Sequence, residues 1–311
     1  MTAHSIIIDC DPGVDDAIAL LLALAAPTEL NILGITTVAG NVPLALTQTN
    51  ARKICELAGQ PDLPVYAGCA RPILRPLITA ESVHGTTGLD GADLPAPQMP
   101  LQTQHGVEFL VDTLLQSEDK ITVVALGPLT NIAIALVKTP QITNKIRELV
   151  LMGGAITQGN ITPAAEFNFY VDPHAAQVVF NAGMKLTLIS LDVTHQVITT
   201  PERLSAIRAI NTPISRAAAD LLSHYGADEV EHYGMSGAPL HDPCVIAYLL
   251  QPDLFTYRDA YVAIETTSEL TMGRSVVDRW QTTGQTPNAR VVETVNAKGF
   301  YQLLIEHLAR L

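Results

Sequence analysis

A strand-like run, Ser5-Ile6-Ile7-Ile8, leads straight into Asp9-Cys10-Asp11-Pro12-Gly13-Val14-Asp15-Asp16, and the apolar run Ala17 to Leu24 follows. The first run reads as a buried strand and the last as a helix that Pro27 stops. Four carboxylates therefore lie where a strand ends and a helix begins, the place where open α/β folds build their sites. Two acids in a first helical turn gain from the helix dipole, but four together repel unless a cation sits among them. An all-oxygen donor set suits a hard cation such as Ca²⁺ or Mg²⁺. The plainer alternative is that Asp15 and Asp16 only cap the helix while Asp9 and Asp11 are solvated loop acids.

The same strand-then-polar-loop pattern recurs along the chain. Asn31 to Val38 reads as a strand followed by Ala39-Gly40-Asn41 and a helix ending near Gly59. Ile121 to Leu126 leads into Gly127-Pro128, Glu148 to Met152 into Gly153-Gly154, and Leu186 to Leu191 into Asp192-Val193-Thr194-His195. Alternation of this kind predicts an α/β fold: a mostly parallel central sheet, helices on both faces, loops gathered along one edge. No Pro, Gly or Ser linker and no internal repeat divides residues 1–311, so a single domain is expected. The least regular stretches, 70–103 and 222–239, are long enough to cover a site.

The chain carries 18 Lys and Arg against 31 Asp and Glu, a net charge of −13. That balance leaves no basic patch to neutralise phosphates and argues against nucleic acid or an anionic membrane as partner. A small neutral or metal-chelated substrate is easier to accommodate. Cys10, Cys55, Cys69 and Cys244 show no CxxC pairing or zinc spacing and read as buried thiols of a reducing, cytoplasmic compartment. The longest apolar run, Ala17 to Ala26, is too short to span a bilayer and follows acids rather than a basic leader.

Four further segments could carry chemistry. Val83-His84-Gly85-Thr86-Thr87-Gly88-Leu89-Asp90-Gly91 is a glycine-rich loop with one histidine, or simply a turn. Thr162 to Pro173 interleaves Glu166 and Asn168 with aromatics after Gly159-Asn160, and an exposed strand edge over Glu166 to Tyr170 would look the same. His241-Asp242 precedes Pro243, as a site or as an ordinary N-cap. The strand end Leu126-Gly127-Pro128 could offer a carbonyl to a metal.

Taken in order, DCDPGVDD from Asp9, VAGN ending at Asn41, VHGTTGLDG from Val83, MGGA from Met152, PAAEFNFYVDP from Pro163 and PLHDPC from Pro239 resemble the nucleoside hydrolases. The likeness is closer to the bacterial pyrimidine-preferring ribonucleoside hydrolases, and it runs through the whole chain. It implies the Rossmann-like nucleoside hydrolase fold and cleavage of the N-glycosidic bond to ribose and free base. By the same resemblance Asp11, Asp16, Asp242 and the carbonyl of Leu126 hold one Ca²⁺, and Asp15 takes the proton from the attacking water. Leu126 stands where the family often has Thr, which leaves the carbonyl unaffected. Asn41, Asn160, Glu166 and Asn168 would grip the ribose hydroxyls, with Met152 in the same substrate-binding set. His241 would serve the leaving base, with His84 beside it and Tyr225, His232 and Tyr233 on the preceding loop. The resemblance also implies a ribonucleoside substrate, pyrimidine first or else purines and pyrimidines alike, a homotetramer, and a place in nucleoside salvage.

Two rivals come from other classes. A phosphatase with Asp9 as nucleophile and Asp11 as acid/base would need a distal Lys and a late acidic pair, and the late segment supplies only His241-Asp242. A sugar- or nucleoside-binding protein with a structural calcium leaves Asp15, an additional acid, without a task.

Overall fold

A computed structural model of the chain describes residues 3–225 and 236–311. Eleven strands are present among them: β1 His4–Cys10, β2 Leu30–Thr37, β3 Val65–Ala67, β4 Ile121–Ala125, β5 Ile146–Met152, β6 Leu186–Ile189, β7 Ile198–Thr199, β8 Ala238–Pro239, β9 Phe255–Ile264, β10 Ser275–Asp278 and β11 Ala289–Val295. Nine form one sheet in the order β10-β9-β11-β6-β5-β4-β1-β2-β3, and β7 and β8 form a separate antiparallel pair. Every pairing from β3 across to β11 is parallel, whereas β9 pairs antiparallel with both β11 and β10.

The parallel strands are apolar and buried on both faces, as a sheet covered by helices on each side must be. Along β1, Ile6 and Ile8 face one layer and Ile7 the other, because successive strand side chains alternate. The first layer contains the helices Val14–Leu24 and Pro243–Leu250, and the second Gly106–Gln116, Thr130–Lys138 and Pro173–Phe180. All eleven residues of Val14–Leu24 are buried. This helix is apolar all round after its first turn because other helices surround it.

Strand β1 lies between β4 and β2, so the chain moves outward on one side through β2 and β3 and then returns to the other side at β4. That reversal opens a crevice beyond the carboxyl ends of β1 and β4, the general ligand position of open α/β sheets. Asp11 follows β1 there, and Leu126-Gly127 follows β4.

Several expected boundaries change. The strand expected from Leu186 to Leu191 stops at Ile189, and Leu191–Thr194 is a short helix. Phe167–Val171 is a buried helix rather than a strand edge, because Glu166 caps it through the N–H groups of Asn168 and Phe169. His84 ends a short helix, Glu81–His84, instead of sitting in a glycine loop. All four cysteines are free, and three are buried while Cys69 is half-buried. No helix among the described residues is long and apolar enough to cross a membrane.

Candidate active site

The crevice beyond β1 and β4 holds a cavity of about 230 Å³. Asp15, Asn41, His84, Leu126, Met152, Asn160, Glu166, Asn168, Tyr225, His241 and Asp242 line it, together with Thr79, Ser82, Ile161 and Phe167. Residues up to 227 positions apart in the chain thus meet around one space. His232 and Tyr233 lie outside the described residues.

The floor is acidic. One carboxylate oxygen from each of Asp15, Asp16 and Asp242 lies within 4.8 Å of the others, and all three residues are buried. Asp16 bends back to its own turn, accepting from Asp11 N (3.1 Å) and Gly13 N (3.0 Å). It therefore does cap the helix, as the plainer reading had it, while also joining the cluster. Asp11 Oδ2 accepts from Asn41 N at 2.7 Å, and Asp11 Oδ1 is buried with no protein partner among the described residues. Two glycines press on this carboxylate: a Cβ at Gly40 would lie 2.0 Å from Oδ2, and one at Gly127 2.2 Å from Oδ1. Asp242 stands at the N-cap position of its helix, but its side chain makes no capping hydrogen bond.

Burial pushes these acids up. The Asp11 and Asp242 carboxyls stand well above the ordinary carboxylate range, through desolvation and then mutual repulsion. Asp16 is raised to about 8 by desolvation and by Asp15. Asp15 is raised only to about 6, because backbone N–H groups and the side chain of Tyr225 pull against its desolvation. Four buried acids, three of them raised further by their neighbours' charge and one with an oxygen lacking a partner, form a donor set suited to a hard cation. The carboxylates that converge within 4.8 Å are those of Asp15, Asp16 and Asp242; Asp11 is outside that trio, although one of its oxygens lacks a partner among the described residues.

Amides fill the gap between acids and cavity. Asn41 Nδ2 donates to Asp11 O and Asp16 Oδ2 (3.1 and 3.0 Å), so only its Oδ1 remains for a ligand. Asn168 Nδ2 donates to the carbonyl of Leu126 at 2.8 Å, holding the strand end beside the acids. Asn160 Oδ1 accepts from Phe167 N at 3.0 Å, which leaves its amide donor for the cavity. Glu166 uses both oxygens on the backbone N–H groups of Gly154, Asn168 and Phe169, and burial raises it to about 7.

Two histidines occupy the wall. Val14 N donates to His84 Nδ1 at 3.1 Å. A backbone N–H can only donate, so Nδ1 carries no proton and Nε2 carries the ring's hydrogen. Burial lowers His84 to about 3, so its 3.9 Å approach to Asp15 is a contact of a neutral ring and not an ion pair. The Tyr225 ring lies 5.4 Å from His84. His241 is also kept neutral, by burial first and then by the rings of His195 and His84.

Beneath the floor, Asp9 carries its own network. Its Oδ1 accepts from Asn131 Nδ2 (2.7 Å) and Thr36 Oγ1 (2.5 Å), and Asn131 Oδ1 accepts from Cys69 N (2.8 Å). Asp9 is wholly buried under the site and raised to about 7, so it is neither a solvated loop acid nor presented to a substrate as a nucleophile.

The model of the inosine-uridine preferring nucleoside hydrolases matches residues 6–302. The chain belongs to that family. It is an N-glycosidase, a hydrolase of nucleosides. The chain is 49% identical to a pyrimidine-specific ribonucleoside hydrolase RihA of Shewanella sp. strain MR-7, with 99% of this chain and 96% of the relative covered. It is 48% identical to the protein of the same name from Photobacterium profundum, over 99% of each chain. Among solved structures, a purine-preferring ribonucleoside hydrolase from Gardnerella vaginalis superposes with a TM-score of 0.91 at 31% identity, covering 98% of each chain. A plant nucleoside hydrolase superposes with a TM-score of 0.92 at 30% identity, covering 98% of this chain and 99% of its own.

Proposed function

We propose that this nucleoside hydrolase acts on ribonucleosides and prefers pyrimidines, releasing free base and ribose from uridine and cytidine. The observation that carries the reading is the pairing of a buried acid floor with a wall of neutral histidines across one cavity. The near-half identity to relatives named pyrimidine-specific supports the base preference.

The cation is proposed to be Ca²⁺, held by Asp11, Asp16, Asp242 and the Leu126 carbonyl. When bound, it would supply Lewis acidity toward water and ligand positions for sugar hydroxyls. Asp15, raised only to about 6, is ionised at neutral pH. It accepts the proton of the water that attacks the sugar's anomeric carbon. As the C–N bond breaks, its electron pair moves onto the base, and the transition state takes oxocarbenium character. Neutral N–H donors of His84 and His241 stabilise the charge that grows there. The Asn160 amide and the remaining acceptors of Asn41, Asn168 and Glu166 hold the ribose, so a missing 2′-hydroxyl leaves buried polar groups unpaired. Met152 and Tyr225 close the cavity around the sugar and base, and His232 and Tyr233 belong to the proposed base-recognition set.

We place the whole chain in one domain. Four free thiols support a cytoplasmic setting, and family resemblance supports a homotetramer that serves nucleoside salvage. A second reading, breadth across purines and pyrimidines, draws on the likeness to the purine-preferring neighbour. Measuring kcat/KM for uridine, cytidine, inosine and adenosine decides between them. Pyrimidines well ahead support the first reading, comparable values the second, and inosine as best substrate overturns the pyrimidine preference.

A further inference from the structure

We propose that Thr194 is a positioning residue that fixes the tautomer of His241, so that the ring presents an Nε2–H donor to the leaving base. The inference rests on the hydrolase reading above and adds a residue to it.

Thr194 is the last residue of the short helix after β6 and is completely buried. Its Oγ1 lies 2.7 Å from His241 Nδ1, across a sequence separation of 47 residues. Its backbone N–H is already used on Ser190 O. Among the described residues its hydroxyl has no hydrogen bond other than the one to His241.

Two arrangements of the hydrogen are possible. If the ring donated from Nδ1, the threonine hydroxyl hydrogen would be left unpaired in a fully buried position, and Nε2 would offer only a lone pair. If the hydroxyl donates to Nδ1, the threonine is satisfied and the single hydrogen of the neutral ring sits on Nε2. The second arrangement leaves no buried donor without a partner. Nδ1 is committed to Thr194, so Nε2 is the ring nitrogen left to serve the cavity that His241 lines.

His84 reaches the same state by another route, because Val14 N–H donates to its Nδ1. Two rings in the wall thus carry their hydrogen on the same nitrogen, one fixed by a backbone amide and the other by a side-chain hydroxyl. The His195 ring, tilted and 5.8 Å from His241, limits the room in which His241 could turn. A base whose carbonyl oxygen gains charge as the C–N bond breaks meets donors rather than lone pairs.

Thr194→Val removes the hydroxyl at nearly constant shape, and Thr194→Ser retains it. With uridine, Thr194→Val is expected to lower kcat about tenfold, less than the roughly 10²–10³ that losing a well-placed donor outright costs because the ring itself remains, while KM changes little. Thr194→Ser recovers most of that loss. With p-nitrophenyl riboside, whose leaving group needs no donor, Thr194→Val stays close to the wild type. Equal losses on both substrates, or no loss on either, overturn the proposal. Nitrogen-15 spectra of the histidines in the wild-type protein test the tautomer directly: an unprotonated Nδ1 on His241 supports it and an Nδ1–H refutes it. A wild-type protein that cleaves neither substrate overturns the hydrolase reading instead, and the spectrum still decides the tautomer.

Discussion

Gly127→Ala tests whether the Asp11 carboxylate must stay where it is. Gly127 has no positive φ, so alanine is permitted by the backbone. By itself the change would stabilise the fold by about 0.4–1 kcal/mol through a less flexible unfolded chain. Its Cβ, however, would lie 2.2 Å from Asp11 Oδ1 and 2.7 Å from Cγ. Restoring the 3.4 Å at which ordinary contact begins requires the oxygen and the methyl to separate by about 1.2 Å. The carboxylate has nowhere to retreat, since Gly40 closes on Oδ2 and Asn41 N holds that oxygen at 2.7 Å. A displacement near 1 Å at a positioning group costs about 10²-fold in rate. Calcium affinity by titration calorimetry and kcat for uridine should therefore both fall, with kcat lower by about 10², while circular dichroism shows an intact fold. A folded variant with calcium affinity and kcat indistinguishable from the wild type would refute the reasoning.

Asp15→Asn should retain calcium and bind uridine while kcat falls by about 10² or more, the scale of a lost general base; loss of calcium would make Asp15 a ligand instead. The stripped protein should respond to pH in a definite direction. Asp16, Asp9, Glu166 and Asp15 are raised to about 8, 7, 7 and 6, each first by burial. Between the ordinary carboxylate range and these values the folded state binds more protons than the unfolded chain. Stability therefore falls as pH rises through that window. In chelator, Tm is expected to drop from pH 5 to pH 8, and added calcium should restore more at pH 8. A Tm that holds constant or climbs over that interval would contradict the burial of uncompensated charge.

The site was legible in the sequence where its geometry is local. Asp11, Asp15 and Asp16 share one turn, and a strand before them with a helix after them fixes where that turn lies in an α/β sheet. The parallel core could be read for the same reason, since each strand was followed by its own polar loop. Other features depend on distant partners. Glu166 to Tyr170 alternates polar and aromatic residues with period two, yet Glu166 accepts from two backbone N–H groups and starts a helix. The antiparallel β10-β9-β11 edge follows no alternation with helices, so the pattern that predicts the parallel strands does not reach it. Thr194 looks like any loop threonine until His241 is brought 2.7 Å away. Asp9 resembles its neighbouring acids in sequence, but it sits within β1, where the strand directs it under the site to Asn131 and Thr36.

The most direct measurement follows uracil release from uridine while calcium is titrated into protein freed of metal. The account predicts negligible release in chelator, and a rise that saturates at one calcium per chain. Undiminished turnover in chelator, with no calcium retained by the protein, would contradict the assignment of the acid floor as a cation site serving glycosidic cleavage.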